Sequence, residues 1–403
     1  MAVVEVGTWN VRAGYIGDLV CTRQLRSLCS CVAPEETDFI SMIKASSGVL
    51  NGTFGEGVCG AHPEKGSSGE TPIKPLWTLD AFERDGALHV DSLRRLKCDH
   101  LHCPLDDPLL LVLPERWHEE RGVMQGLFEA ILEAPHLTRL LYAGRPSVGW
   151  AFAAARASAV VLDVGHFHST VAAVLDGYVL RGTIDTAAVG GAAVSAGLSA
   201  TLQRPLWPSL GQRYAHLLGA LELKGEARGG CDTLWDLLLD HTVADIKRLC
   251  GVVRHPQGAP PGAMSVRAPD GTLLELLPEQ RWEPFEVLFG PEEGGTGNVA
   301  RLLFSCMQQL DPEWRLQTVH HVLGGGGSLV PGFRERILHE TKSMDPSYYR
   351  YERDNAFTVA SSVEGAWAGN SIAAASSSFE SLWISKSEWD EEGESCLFRK
   401  LFY

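Results

Sequence analysis

The sequence lacks any run of roughly 18 to 20 apolar residues, the length that a membrane-spanning helix requires. It also lacks the basic start and apolar stretch of a signal peptide, because residues 1–5 follow a strand-like pattern. Positive charge is in deficit, since 35 Lys and Arg residues stand against 50 Asp and Glu and the net charge is −15. Such a surface repels phosphate backbones and anionic lipids. We therefore expect no membrane insertion and no direct binding of nucleic acid.

The composition has no signature of disorder. Hydrophobic residues make up 45% of the chain and charged residues 21%, as in ordinary folded proteins. A chain of 403 residues exceeds the size at which a single core usually stops growing, about 250 to 300 residues. The sequence therefore predicts two folded domains.

The ten cysteines are scattered, and without a secretion signal they are expected to be reduced thiols packed as small apolar groups. One cluster offers an alternative. Cys98, His100, His102 and Cys103 could supply four zinc ligands, but their spacing is tighter than that of a standard zinc module. We therefore predict no metal site here.

Two hairpin patterns lie far apart in the chain. Residues 3–7 read as a buried strand that ends in glycine, and residues 12–17 return from it. The same plan recurs in residues 160–165 and 170–174. Two such units predict an internally duplicated fold.

Strand and helix patterns alternate elsewhere. Residues 109–113 form an apolar run, and apolar residues recur at helical spacing over residues 123–132. Residues 319–323 are strand-like, four glycines follow at 324–327, and a helix is expected after Pro331. This alternation predicts an α/β core, and the glycine turn predicts a junction that faces a ligand.

Several blocks resemble the actin and actin-related protein family, in the family's order and over nearly the whole chain. Residues 383–393 are similar to the family's C-terminal segment, and residues 371–374 stand before it. Residues 322–333 resemble the family's adenine-side loop, and Asp245-Ile246-Lys247 is a further match. The sequence is identified as a divergent member of this family.

The resemblance implies the actin/hexokinase/heat-shock-ATPase fold, with two duplicated α/β domains around a central cleft. The first domain is expected over residues 1–158 plus 364–403, with a small lobe at about 31–75. The second is expected over residues 159–363, with a small lobe at about 192–275.

The resemblance also implies a nucleotide site between two glycine-containing hairpins, where residues without a Cβ let backbone N–H groups approach phosphate oxygens. The positions that this assigns to weak contacts with ATP or ADP are Gly7, Thr8, Arg12, Asp163, Gly165, Gly191, Lys247, Gly325 and Gly326. The alternative is that no nucleotide is bound and that Gly7, Gly165 and Gly324 to Gly327 are retained as turns of the fold.

The sequence departs from the family's pattern at both hairpins. Trp9 stands where the first hairpin of the family has glycine, and Glu5 replaces the usual aspartate. His166 stands where the second hairpin has the aspartate that organises Mg²⁺, and an imidazole suits a hard cation poorly. We expect a weakened Mg²⁺ site, with a softer metal at His166 and His168 as the alternative.

Further departures concern hydrolysis and the nucleoside. The glutamine that positions water in the family falls on Pro146, which has no side-chain donor or acceptor, and the catalytic-site histidine falls on Thr170. Arg248 stands at the ribose glutamate, Val330 at the aromatic residue of the adenine loop and Val363 at an adenine-contacting lysine. We predict no catalytic residues and no enzyme activity.

These observations predict a nonpolymerising scaffold subunit of a larger protein complex. Residues 51–70 do not match the loop through which actin subunits insert into one another, so filament formation is not expected. The preferred setting is a dynactin-like, axonemal or microtubule-associated complex in the cytoplasm or cilium. Two alternatives stay open: a nuclear chromatin-remodelling subunit, and a nucleotide switch or slow ATPase.

Overall fold

A computed structural model describes residues 1–7, 9–26, 28–30, 73–75, 90, 92–104, 106–134, 137–223, 228–290, 297–344 and 357–401. The strands in these residues are β1 (Ala2–Val6), β2 (Asn10–Tyr15), β3 (Arg23–Arg26), β4 (Leu28–Ser30), β5 (Ile73–Pro75), β6 (Leu109–Val112), β7 (Leu140–Gly144), β8 (Ala159–Val164), β9 (Ser169–Leu175), β10 (Tyr178–Val179), β11 (Asp185–Ala187), β12 (Met264–Arg267), β13 (Leu273–Leu276), β14 (His321–Gly324), β15 (Phe357–Val359) and β16 (Ile384–Ser385).

The α-helices in the same residues are α1 (Glu115–Glu119), α2 (Arg121–Glu133), α3 (Pro146–Ala153), α4 (Gly191–Leu223), α5 (Arg228–Cys250), α6 (Pro278–Trp282), α7 (Val299–Gln309), α8 (Pro312–Gln317), α9 (Phe333–Met344), α10 (Gly365–Ala374), α11 (Lys386–Glu392) and α12 (Ser395–Lys400). Short turns of 3-10 helix span Arg181–Thr183, Glu283–Leu288 and Ser377–Leu382, and Arg95–His100 forms a π-helical turn.

Two sheets repeat one plan. The first has the spatial order β16-β7-β6-β1-β2-β3, and the second has the order β10-β9-β8-β14-β15 with β11 beside β9. In each sheet an antiparallel hairpin, β1–β2 or β8–β9, is followed by two parallel strands, β6 and β7 or β14 and β15. The central strands are apolar on both faces because helices cover both sides. The predicted duplication and the actin-like α/β class are confirmed.

Equivalent helices of the two halves cross at the base of the cleft. Helix α3 follows β7, α10 follows β15, and their backbones touch: a Cβ on Gly369 would overlap the carbonyl oxygen of Gly149. Asn370 fixes the crossing, because its side-chain amide donates to the carbonyl oxygens of Arg145 (3.1 Å) and Ala366 (2.9 Å). The two halves are therefore joined backbone to backbone.

The second half carries a helical lobe. Helix α4 contains Pro205 and Pro208 and departs from helical geometry at Tyr214, while α5 returns beside it. The hairpin β12–β13 follows. These elements lie within the small lobe predicted at about 192–275, whereas most of the lobe predicted at about 31–75 lies outside the described residues. The domain bounds stay a prediction.

Each sheet has its own apolar core. Val4, Leu109 and Phe128 belong to a buried cluster in the first half, and Leu162 and Phe333 belong to another in the second. Among the described helices, none combines the length and the apolar character needed to cross a bilayer.

Candidate functional site

A cavity of about 510 Å³ lies between the two sheets, a size that is typical of small-molecule sites. It is lined by the turns of both hairpins, by the start of α4, by α5 and by the glycine turn after β14. The structure brings the following predicted contact residues together in its wall: Gly7, Arg12, Asp163, Gly165, Gly191, Lys247, Gly325 and Gly326. The remaining one, Thr8, lies outside the described residues.

Arg12 is engaged by its own hairpin. It stands directly opposite Glu5 in the β1–β2 register, and its Nη1 atom lies 2.7 Å from Oε1 of Glu5. The side chains are only 11% and 14% exposed. Burial raises the pKa of Glu5 and the guanidinium opposes that rise. The cation that was predicted to contact phosphate therefore already neutralises a buried carboxylate.

Asp163 is the last residue but one of β8 and forms no ion pair among the described residues. Burial raises the pKa of its carboxyl to about 6. Gly325 presses against it: this glycine has a φ of +78°, and a Cβ there would overlap both Oδ1 of Asp163 and the carbonyl oxygen of Val164. The glycine turn and the second hairpin thus fit each other only because position 325 has no side chain.

Trp9 and His166 meet across the cleft. Trp9 lies in the turn between β1 and β2, and His166 in the turn between β8 and β9. The ring centroids are 4.2 Å apart with an interplanar angle of 41°. The indole and the imidazole therefore fill the gap between the hairpins in which the family resemblance places phosphate.

Backbone N–H groups at the start of α4 are also engaged by protein oxygens. The N–H of Gly191 donates to the carbonyl oxygen of Gly165 (2.9 Å), and the N–H of Ala192 donates to that of His166 (2.7 Å). The first N–H groups of a helix are otherwise ready donors for an anion. Here two of them hold the second hairpin in place.

Lys247 is likewise bound to protein oxygens. Its Nζ atom donates to the carbonyl oxygen of Gly191 and to Oγ of Ser195, both at 2.8 Å. At the cavity mouth Arg248 donates to Asp245 at 3.1 Å. Each of the three cationic side chains in the lining, Arg12, Lys247 and Arg248, is engaged, whereas the described lining carries four carboxylates, Glu5, Glu115, Asp163 and Asp245.

Comparison with known proteins decides the family, because the Actin family model matches residues 1–402. This chain belongs to the actin family. The SWI/SNF and RSC complexes subunit arp42 of Schizosaccharomyces pombe is 24% identical in an alignment that covers 70% of this chain and 74% of the relative. Actin-related protein 4 of Oryza sativa subsp. indica is 22% identical in an alignment that covers 99% of this chain and 97% of the relative, and the protein of subsp. japonica matches equally. The recognised family is therefore confirmed.

For an actin-family chain, the hydrolytic positions are altered in side-chain chemistry. Pro146 lines the cavity as the first residue of α3, where its fixed φ suits a helix start. Thr170 also lines the cavity, and its Oγ1 lies 3.3 Å from Oγ1 of Thr186. Neither side chain supplies a basic group to activate water.

The cavity lining includes the predicted nucleoside positions Val330 and Val363, together with the apolar residues Phe285 and Leu288. Phe285 is buried against Gly251, where a Cβ would overlap its ring. Aliphatic side chains at the two nucleoside positions offer less stacking area than an aromatic residue would.

Sequence reasoning missed Glu115 and Trp150. Glu115 is buried, lies 2.7 Å from Nη1 of Arg145 and accepts a hydrogen bond from the N–H of Ser147 at 3.0 Å. Trp150 is buried beside Gly324 and Gly365, where a Cβ would overlap the indole. A buried Glu–Arg pair leaves no local signal in the sequence, but the tryptophan within a helix of mostly small residues could have been found.

No group of three or more His, Cys, Asp or Glu side chains able to hold a metal occurs in the described part of the chain. Cys98 and Cys103 are free thiols, and burial raises the pKa of both. Burial, with Arg116 as a second cause, lowers the pKa of His168. The zinc alternative and the softer-metal alternative therefore gain no ligand set from these residues.

Five tryptophans outside the blocks that carry the family resemblance are candidate anchors for a partner, and they have separate environments: Trp77, Trp117, Trp207, Trp282 and Trp314. Trp117 is buried, the ring of Trp282 lies 4.8 Å from the Arg254 guanidinium carbon, and Trp207 and Trp314 are 51% and 37% exposed. Trp77 lies outside the described residues. Two of the five are thus surface groups available to a partner.

Proposed function

We propose that this actin-related chain is a non-catalytic scaffold subunit of a nuclear chromatin-remodelling complex of the SWI/SNF and RSC kind. The Schizosaccharomyces pombe relative is named as a subunit of SWI/SNF and RSC complexes, which supports this setting. The rice relatives are named as actin-related proteins, which supports the family and specifies no complex. The cytoskeletal setting and cytoplasmic location preferred from the sequence receive no support from these relatives.

The observation that carries the non-catalytic part is the Trp9–His166 contact between the hairpins. A phosphate chain needs that space, and it needs cations and backbone donors to stabilise its charge. Arg12 and Lys247 are engaged by protein oxygens, and the start of α4 holds the second hairpin. These residues do not fit a tightly bound Mg-nucleotide, so we assign the cleft no ATP or only weakly bound ATP.

The net charge of −15 supports contact with chromatin through protein partners rather than through DNA. The exposed indoles of Trp207 and Trp314 are the side chains we would test first as anchors. Trp207→Ala and Trp314→Ala should weaken partner binding, whereas Tyr178→Ala, at a position that is 60% exposed, serves as a matched surface control.

The first test measures nucleotide. The chain is purified without added nucleotide and denatured, the released adenine nucleotide is quantified, and phosphate release is followed with Mg-ATP. We expect substoichiometric nucleotide and phosphate release at the rate of a blank. Turnover that Asp163→Ala abolishes would instead establish an ATPase.

The second test identifies the assembly. The tagged chain is purified from nuclear and cytoplasmic extracts of its own cells, and subunits are identified after cross-linking. Recovery of a chromatin-remodelling complex from the nuclear fraction is expected. Recovery of dynactin, axonemal or microtubule-associated subunits in its place would contradict the proposal.

A nucleotide switch remains a second candidate, favoured by one observation. Eight of the predicted contact residues line a single cavity large enough for a nucleoside. Under this alternative, Mg-ATP at 100 times its Kd would stabilise the chain by about 2.7 kcal/mol. Our proposal expects no measurable rise in Tm at millimolar Mg-ATP.

A further inference from the structure

Two departures from the family pattern that look like independent losses in the sequence are neighbours in space. Trp9 replaces a glycine in one hairpin and His166 replaces an aspartate in the other, and their rings lie 4.2 Å apart. We propose that this pair, the clasp, joins the two halves of the molecule in place of a bound phosphate group, so that the cleft stays closed without nucleotide. The inference rests on the proposed function in that the cleft must lack tightly bound ATP.

The two rings of the clasp are large enough to fill the gap between the hairpin turns. Glycine and aspartate are short, so a gap between two hairpins built from them would be left for a ligand. An indole and an imidazole fill such a gap by direct contact, and pairs of aromatic rings in contact are typically favourable beyond their buried area. His166 also packs on Phe167, with ring centroids 4.7 Å apart.

Backbone hydrogen bonds hold the two turns that carry the rings. The N–H of Gly7 donates to the carbonyl oxygen of Asn10 (3.1 Å), which closes the turn that carries Trp9. The N–H of Gly165 donates to the carbonyl oxygen of His168 (3.0 Å), and the carbonyl oxygen of His166 accepts from Ala192 (2.7 Å). Because both turns are held, little further ordering is needed for the rings to meet.

Two further contacts between the halves occur within the described residues, and comparison with them shows what the clasp contributes. The α3–α10 crossing lies at the base of the cleft, and on one flank Glu119 of α1 binds Arg181 at 2.9 Å. The crossing is a pivot, and the Arg181 side chain is 45% exposed, so its ion pair is weak. The clasp is the aromatic contact between the hairpin turns themselves, where it limits separation of the sheets.

One consequence concerns partners. In a nucleotide-gated protein the relative position of the halves, and hence any surface that spans them, depends on the ligand. A clasp made of side chains holds one arrangement at all times. Partner binding should therefore be the same after apyrase and EDTA treatment as in Mg-ATP.

The test is a double-mutant cycle on thermal stability in the full chain, with Trp9→Ala, His166→Ala and the double variant. Each single change should lower Tm by about 1 to 4 °C, and the double variant should lose little more than the larger single loss, because the second change removes nothing once the contact is gone. Trp9→Phe should retain most of the coupling. Additive losses would overturn the clasp.

Amide hydrogen exchange gives a readout of closure. Trp9→Ala should speed exchange in residues 165–168 on the opposite sheet, whereas Tyr142→Ala, which disrupts an aromatic contact with Phe379 (4.7 Å) away from the hairpins, should not. Unchanged exchange at 165–168 would also overturn it. If either test fails while the chain purifies without nucleotide, the clasp is overturned and the proposed scaffold role still stands. If the losses of Tm are coupled but the chain hydrolyses ATP, the scaffold role is overturned instead.

Discussion

Among the described residues, two of the contacts between the halves of this molecule use opposite kinds of residue. At the α3–α10 crossing, Gly149 and Gly369 bring two backbones into contact, and no side chain would fit. At the hairpin turns, Trp9 stands where the actin family has glycine, and a large ring makes the contact. At the crossing, packing requires the missing Cβ, whereas at the hairpin turn the family resemblance places a ligand-facing glycine and this chain has an indole instead.

In the glycine turn after β14, a glycine that the packing requires stands next to one that only faces the cleft. Gly325 has a φ of +78° and would overlap Asp163 if it carried a Cβ, so the fold requires it. Gly326 lines the cavity, and a Cβ there would meet no atom within 4 Å. The comparison therefore separates glycines kept for packing from those that only face the cleft, and it can be tested residue by residue.

The largest effect is expected at the crossing. Gly149→Ala should lower the free energy of unfolding by about 3 kcal/mol or more, because its Cβ would overlap the carbonyl oxygen of Ala366. Urea unfolding measures the loss. Gly122→Ala in α2 is the matched control, since nothing lies within 4 Å of its Cβ position. That variant should gain roughly 0.5 to 1 kcal/mol from higher helix propensity, and equal behaviour of the two would break the comparison.

A smaller effect is expected at Asp163, and it depends on pH. Its folded pKa of about 6 lies above the ordinary aspartate value, so the native state holds a proton that the unfolded chain releases. The wild type therefore loses stability from this group as the pH rises from about 4 to about 6. Asp163→Asn removes this dependence.

The substitution Asp163→Asn should therefore be more favourable at pH 7 than at pH 4, by roughly 1 to 3 kcal/mol in the free energy of unfolding relative to wild type. Denaturant titrations at the two pH values measure it. Asp18→Asn, at an exposed position, is the control. If the stability difference between Asp163→Asn and wild type did not change with pH, burial would not raise the pKa of the Asp163 carboxyl.

The smallest effect is expected at Gly326. Gly326→Ala should change the free energy of unfolding by less than about 0.5 kcal/mol, because its Cβ would enter open space. Gly325→Ala, one residue earlier, should be clearly destabilised by strain and overlap. If Gly326→Ala instead reduced binding of Mg-ATP by a stable chain, the cleft would retain the nucleotide contact that we do not assign to it.

The sequence predicted the repeated parts of the fold well. The expected hairpins match β1–β2 and β8–β9, the apolar run at 109–113 matches β6, and the helix expected after Pro331 matches α9. These elements have strong local patterns of apolar residues, and their order carried the family resemblance. The kinked α4 was not predicted beyond its place in a small lobe, because Pro205 and Pro208 interrupt the helical pattern that tertiary packing nevertheless sustains.

The sequence predicted which positions line the candidate site, but it did not predict the hydrogen bonds and ion pairs between their side chains. The chemistry of Pro146 follows from its type alone, and so does the poor fit of His166 to Mg²⁺. The engagement of Arg12 by Glu5 and of Lys247 by Ser195 needs distances, because any of these side chains could equally well have faced a ligand.

The sequence by itself determined the two-part α/β plan and the acidic character, since each follows from local pattern or residue type. Only the tertiary structure decided that Trp9 and His166 form one contact, that α4 binds the second hairpin, and which glycines the packing requires. These relations join residues far apart in the chain, and their geometry is fixed by how the two sheets pack around the α3–α10 crossing.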